Sequence, residues 1–270
     1  MTREEWELHC STVKNLMVAY AKSFATPISM SEEKEHGVAW GSGSYVAGQN
    51  AIYLLTAGHV FKEVPTGGRL AHLPMLGEDY IEVGEAPEYA PWPVDAAAFP
   101  VAPLPHASTL RVIPAELIGS HFSAVEGELL FWIGFPGYTL ERHDALVESR
   151  RRRTWFGELS TVGLPMLSQA EQGWNEDHPA FDSNKHIAIQ YPSAAKKSVD
   201  TPPAALPHPK GMSGSILWDT KFVRTFRAGE DWRPELAQVC GLVWAALDDP
   251  ELVLATKIEH VRSGLPRSLG

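Results

Sequence analysis

Thr56-Ala57-Gly58-His59-Val60 closes the apolar run Ile52-Tyr53-Leu54-Leu55. A histidine placed just after a strand and a glycine can leave the sheet and reach a cleft. Far downstream stands Gly211-Met212-Ser213-Gly214-Ser215, followed by the apolar Ile216-Leu217-Trp218. Between them, Val94-Asp95-Ala96-Ala97-Ala98-Phe99 sets one carboxylate in a hydrophobic stretch. Such a carboxylate is costly unless it is hydrogen-bonded, and a histidine N–H is a suitable partner. The three segments supply a histidine, an aspartate and a serine, in that order, each beside a predicted strand.

These residue types suit nucleophilic catalysis. A serine hydroxyl is a weak nucleophile near neutral pH and needs a base within hydrogen-bond reach. Histidine's ordinary pKa of ~6.5 fits that task, and a carboxylate fixes its tautomer and supports the imidazolium that forms. Gly211 and Gly214 flank Ser213, which allows a tight turn that aims the backbone N–H groups of Gly211 and Ser213 into one pocket. Asp79 is a rival orienter and Ser215 a rival nucleophile. The more polar setting of Asp79 and the glycine flanking of Ser213 favour Asp95 and Ser213.

Outward from these motifs, the pattern from His36 onward is β-rich and punctuated by Gly and Pro. Strands are predicted near 37–47, 51–56, 69–74, 80–84, 94–101, 110–113, 128–134, 154–162, 186–191, 214–218, 238–245 and 252–256. Many short strands at this spacing point to antiparallel barrels or sandwiches. Segments 164–185 and 192–210 read as irregular loops that shape a cleft. Residues 4–24 read as one amphipathic helix with a stripe of Trp6, Cys10, Val13, Met17, Tyr20 and Phe24 that packs on the main domain. Polar Ser31-Glu32-Glu33-Lys34-Glu35 reads as a linker, and 256–264 as a short helix.

Length and composition bound the rest. The chain has 270 residues, 44% of them hydrophobic, enough for one large domain or two smaller ones sharing an interface. The formal net charge of −10 disfavours general nucleic-acid binding. The run Arg150-Arg151-Arg152-Arg153 reads as a solvated loop or strand end. Two cysteines, Cys10 and Cys240, allow one disulfide but not a stapled framework, and no metal-ligand spacing involves them. No secretory signal and no membrane-spanning run is read, so a soluble cytoplasmic protein is expected.

The motifs resemble those of the chymotrypsin-fold (trypsin-like) serine peptidases, in particular the bacterial, disulfide-poor members. Thr56-Ala57-Gly58-His59 matches the family's histidine motif, and Gly211-Met212-Ser213-Gly214-Ser215 its serine motif. Gly41-Ser42-Gly43-Ser44-Tyr45 is similar to the strand before the histidine strand. Phe131-Trp132-Ile133-Gly134-Phe135-Pro136-Gly137 is similar to a second-barrel element, and Gly241-Leu242-Val243-Trp244 to the strand that pairs with bound peptide. The resemblance spans about residues 36–264. It implies an all-β fold of two six-stranded antiparallel barrels, with an added N-terminal helix and a short C-terminal helix. The expected division is 1–35 for helix and linker, 36–105 for the first barrel and 106–270 for the second.

The resemblance further implies His59 as general base, Asp95 as its orienter and Ser213 as nucleophile, with an oxyanion hole from the backbone of Gly211 and Ser213. Substrate contacts are implied at Pro207 and His208 ahead of the serine loop, and at Trp244, Ala245 and Ala246 in the pairing strand. The implied activity is endopeptidase cleavage of protein or peptide through an acyl-enzyme, without cofactor or metal. Two departures stand out. Met212 occupies the place where digestive members carry an aspartate that receives a new N-terminus, so activation of that kind is not expected. Pro207 replaces the aspartate behind trypsin's basic preference, so cleavage after Arg or Lys is unsupported unless Asp248 or Asp249 folds into the pocket. The N-terminal helix suggests a restrained protease, with that helix as a place for a regulatory partner. The competing expectation is a silent peptide-binding module on the same fold.

Overall fold

A computed structural model describes residues 2–32, 37–73, 81–84, 86–101, 110–137, 141–142, 158–159, 163–171, 174, 178–195, 202, 204–206, 208–247 and 251–270. Helix α1 (Arg3–Ala21) opens with a capping box: Thr2 Oγ1 accepts from the Glu5 N–H, and Glu5 Oε2 accepts from the Thr2 N–H. Its stripe is buried through Val13, Met17 and Ala21, and Phe24 extends it in a short 3-10 turn. Together with partly buried Trp6, Cys10, Val18 and Tyr20, these residues join the largest apolar cluster, so the helix is part of the domain core.

The chain then enters strand β1 (Ala25–Ser31), which is buried along its whole length. This strand lies between the helix expected at 4–24 and the linker expected at 31–35, overlapping the latter at Ser31. The physical reason is that its polar residues are satisfied inside. Thr26 Oγ1 donates to Leu73 O at 2.8 Å, and Ser29 Oγ donates to Val38 O at 2.9 Å. A strand with partners on both sides and polar groups bonded inward shows no alternation to read.

Six further strands complete the first sheet: β2 (Val38–Ala47), β3 (Ile52–Ala57), β4 (Arg69–His72), β5 (Ile81–Glu82), β6 (Glu88–Ala90) and β7 (Ala96–Val101). The order is β5-β4-β1-β2-β3-β7-β6, antiparallel throughout. The second sheet contains β8 (Leu129–Gly134), β11 (Leu164–Gln169), β12 (His186–Gln190), β15 (Ile216–Asp219), β16 (Gln238–Leu247) and β17 (Leu252–Lys257), in the order β11-β8-β15-β16-β17-β12. Two short ribbons stand apart, β9 (Glu141–Arg142) with β10 (Glu158–Leu159) and β13 (Ala194–Ala195) with β14 (Ala204–Ala205). The architecture is thus two curled antiparallel sheets, with seven strands in the first where six were expected and six in the second.

Other differences have local causes. The predicted strand at 110–113 makes only an isolated bridge, Val46 to Ile113, and Pro114 follows it. Strand β11 lies inside the stretch 164–185 that reads as an irregular loop, and it contains Pro165. It is an edge strand paired only with β8, where a proline is tolerated. Most of the predicted strand at 154–162 lies outside the described residues. The C-terminal segment is two helices, α4 (Ile258–Gly264) and α5 (Pro266–Leu269), after the single turns of α2 (Gly58–Lys62) and α3 (Phe222–Arg227).

Each sheet is apolar on both faces. In β3, Leu54 packs inside the first sheet's own cluster with Ile28, Tyr45 and Phe99, while Leu55 faces the cluster shared with α1 and the second sheet. In β8, Leu130 and Trp132 turn into the second sheet and Phe131 into the shared cluster. Successive side chains alternate between two dry layers, which is why these strands read as continuous apolar runs. Both cysteines are free thiols. No helix among the described residues is long and apolar enough to cross a membrane.

Met17 is fully buried and ties α1 to the shared cluster. Met17→Ala is expected to lower unfolding stability by about 2–5 kcal/mol, measured by urea denaturation. A loss below about 0.5 kcal/mol would show that the helix merely lies on the surface.

Candidate active site

The histidine strand β3 ends at Ala57, whose partner on β7 is Ala96. Asp95 immediately precedes that pair and therefore lies beside Gly58 and His59. Three bonds fix it there. The Gly58 N–H donates to Asp95 O at 2.9 Å, the His59 N–H donates to Asp95 Oδ1 at 2.9 Å, and His59 Nδ1 lies 2.6 Å from Asp95 Oδ2. Asp95 is 6% exposed and adopts a left-handed backbone with φ +49°. Glycine is required at 58, because a Cβ there would sit 2.9 Å from Asp95 Oδ1 and 2.8 Å from the Tyr89 ring.

An ionised carboxylate can only accept, so Asp95 selects the His59 tautomer with its proton on Nδ1 and leaves Nε2 as the basic nitrogen. Burial disfavours the charged ring. The hydrogen bond and charge of Asp95, helped by the charge of Glu63, outweigh that, and the His59 pKa lies above its ordinary 6.5. The stabilisation from the charged pair is therefore fully present below pH ~6.5 and fades as pH rises through the folded value.

Ser213 lies on a turn made possible by Gly211 (φ +96°) and Gly214 (φ +91°). Inside the turn, the Met212 N–H donates to Pro209 O and the Ser215 N–H to Met212 O. The turn is locked onto the first sheet through Ser42 of β2. The Ser42 N–H donates to Ser213 O at 2.8 Å, and Ser42 Oγ donates to Gly211 O at 2.8 Å while accepting from the Phe135 N–H at 2.9 Å. Thr56 Oγ1 donates to Ser42 O at 2.7 Å. Ser215 is 1% exposed, and its hydroxyl donates to Met212 O at 2.6 Å, so it is a structural residue of the turn.

His59 and Ser213 line one cleft of about 900 Å³, with Val38, Trp40, Val60, Glu63, His208 and Lys210 among its walls. The Ser213 hydroxyl donates to Trp244 O at 3.1 Å. Its proton must leave that carbonyl before it can pass to His59. The Lys210 carbonyl is taken by the Gly137 N–H at 3.1 Å. Among the described residues, no backbone carbonyl accepts from the N–H of Gly211 or of Ser213.

Of the remaining expected substrate contacts, Pro207 lies outside the described residues, as do Asp79, Asp248, Asp249 and the arginine run. His208 reaches the cleft wall, and its Nδ1 accepts from the Lys210 N–H. Trp244 falls at a register shift of β16, with its ring 5.1 Å from that of His186. Ala245 and Ala246 continue β16, paired with Leu254 and Val253. Sequence reasoning did not anticipate Trp40 and Glu63 in the cleft, or Ser42 as the tie. For Ser42 the only signal was the absence of bulky side chains in Gly41-Ser42-Gly43-Ser44. No cluster of metal-ligating side chains occurs among the described residues.

No protein-family model and no curated protein matches the sequence. Among solved structures, the chain is similar to the crystal structure of the Rv3671c protease from M. tuberculosis in its active form, at 18% identity and a TM-score of 0.50, covering 96% of this chain and 86% of that one. It is also similar to the crystal structure of Deg5, at 13% identity and a TM-score of 0.52, covering 97% and 94% of the two chains. The fold of this chain is the chymotrypsin fold.

Two outcomes follow from this geometry. Asp95→Asn removes the charge that raises the His59 pKa, so the imidazole should titrate at lower pH than in the wild type by NMR. An unchanged titration would mean that Asp95 does not govern the ring. Gly214→Ala would drive a Cβ onto Ser42 O and Thr56 Oγ1 at a left-handed φ. It should lower stability by about 2–5 kcal/mol, read by thermal melting.

Proposed function

We propose that the chain is a serine endopeptidase working through an acyl-enzyme. The observation that carries this reading is Asp95 bonded to both the backbone and the ring of His59, with Ser213 on the same cleft. Ser213 Oγ attacks the scissile carbonyl carbon as His59 Nε2 takes the hydroxyl proton, and the Gly211 and Ser213 N–H groups receive the oxyanion. His59 then protonates the leaving amine. Water, deprotonated by the same ring, hydrolyses the Ser213 ester and frees the enzyme. Asp95 holds the imidazolium through its bond to Nδ1. No cofactor or metal has a role in these steps.

The similarity to the Rv3671c protease, an active form by its own description, supports this assignment. The protein or peptide chain is the substrate, and the cleft walls Trp40, Val60, His208 and Lys210 are where its side chains would lie. A cytoplasmic location and restraint through α1 belong to the same proposal. The outward residues Leu8 and Leu16 are the support for a partner there. Deleting residues 1–35 cannot test that, because it would also remove β1 from the middle of the first sheet.

One observation favours the second reading, a silent peptide-binding module: the resting Ser213 hydroxyl donates to Trp244 O and has no bond to His59 among the described residues. The two readings separate in one experiment. A fluorophosphonate probe should label the wild type at Ser213 and leave Ser213→Ala unlabelled. Cleavage of a peptide library should fall on the order of 10⁴-fold or more in His59→Ala. Peptides retained without turnover, together with no labelling, would establish the binding module instead.

A further inference from the structure

Asp95 sits at the end of the loop Pro91–Asp95, and the second sheet grips that loop from outside. His186 of β12 lies with its Nε2 2.7 Å from Pro93 O. Thr256 of β17 donates through Oγ1 to Val94 O at 2.8 Å. The two side chains are neighbours, because His186 and Thr256 are directly paired residues of β12 and β17. They therefore hold two consecutive carbonyls, the last two before the catalytic carboxylate. His186 is 2% exposed and Thr256 is fully buried.

The partners of His186 define its state. A carbonyl can only accept, so Nε2 carries a proton. The Asp182 N–H lies 3.0 Å from Nδ1 and can only donate, so Nδ1 is bare. The ring is the neutral Nε2–H tautomer with both nitrogens used. Burial chiefly lowers its pKa, against the opposing hydrogen bond to Pro93 and the charge of Asp182, with Lys185 and His260 also facing it and lowering it. The clamp is thus built from neutral groups and adds no charge beside Asp95.

The loop has few bonds of its own. The Val94 and Asp95 N–H groups both turn back to Pro91 O, at 3.0 and 3.2 Å. Asp95 itself adopts a left-handed conformation that an ordinary residue holds only when its surroundings impose it. The side that faces His59 imposes part of this through Gly58 and His59. On the other side, the carbonyls of the two preceding residues are bonded to His186 and Thr256.

We infer that His186 and Thr256 are positioning residues, which set the approach of the Asp95 carboxylate to His59 by anchoring the Pro93 and Val94 carbonyls to the second sheet. This rests on the peptidase reading for its catalytic consequence, but the geometry it predicts can be measured without turnover.

The test compares His186→Leu and Thr256→Val, which delete the donors, with His186→Gln and Thr256→Ser, which keep one. Two signals are read by NMR in the folded variants: the downfield proton of the His59 Nδ1–Asp95 bond and the titration of the His59 ring. Fluorophosphonate labelling is followed in parallel. Each donor-deleting variant should weaken the downfield proton and move the His59 titration to lower pH, with labelling slowed by up to about 10²-fold. His186→Gln and Thr256→Ser should stay within about threefold of wild type. If either donor-deleting variant fails to fold, the other decides by the same signals. A lower melting temperature with the His59 titration and downfield proton unchanged would reduce the pair to packing and overturn the inference. So would His186→Gln proving as damaging as His186→Leu. If the wild type takes no label at all, the peptidase reading fails while the NMR comparison still decides the clamp.

Discussion

Ser42 is the point at which the two sheets become one object. Its N–H, its carbonyl and both roles of its hydroxyl are committed, to Ser213 O, Thr56 Oγ1, Gly211 O and the Phe135 N–H. It is buried, so each bond lies in a medium where an unmade partner would cost about 1–3 kcal/mol. The histidine and aspartate come from the first sheet and the serine from the second. A site split in this way works only if the sheets cannot slide, and a fully satisfied side chain at the seam prevents sliding better than apolar contact does, because its bonds have direction.

Gly214 makes that seam possible. Its amide donates to Val243 O on β16 while its bare Cα lies against Ser42 O and Thr56 Oγ1. The glycine is needed for space as much as for its positive φ. Gly58 does the same on the other side of the site, where its bare Cα lets the Asp95 carboxylate come within reach of the next residue's ring. Two glycines, 156 positions apart in sequence, each remove a side chain where a close approach is needed, one beside Asp95 and one against Ser42 and Thr56.

The candidate site stands out in the sequence more than some of the strands around it. His59 and Ser213 sit in short local patterns and Asp95 is a carboxylate beside alanines, so these residues draw notice within five positions. β1 does not. Ala25-Thr26-Pro27-Ile28-Ser29-Met30-Ser31 has three hydroxyls that look exposed and a proline that looks like a breaker. Its burial depends on Leu73 and Val38, which accept those hydroxyls, and on the β4 pairing that starts only at Ile28, past the proline. β11 also carries a proline, Pro165, which its place on an outer edge tolerates. The bonds of Ser42 to Phe135, Gly211 and Ser213 and the bond of His186 to Pro93 span about 90 or more residues, and no local pattern encodes a partner at that range.

The resting bond from Ser213 to Trp244 O has to be weighed by magnitude. Trp244 stands at the bulge between Val243 and Ala245, where the ladder to β17 slips. Bulges re-aim backbone groups, which gives the Trp244 carbonyl a direction the regular ladder would not allow. A neutral hydroxyl-to-carbonyl bond contributes about 0.5–1.5 kcal/mol net, so giving it up costs roughly 2- to 13-fold in rate. Removing a member of a working triad costs about 10⁴-fold or more. The Trp244 bond is therefore too weak to silence an otherwise competent site. On the proposed peptidase reading it would hold the Ser213 hydroxyl in the cleft until a carbonyl enters, and the bond is weak enough to be given up then.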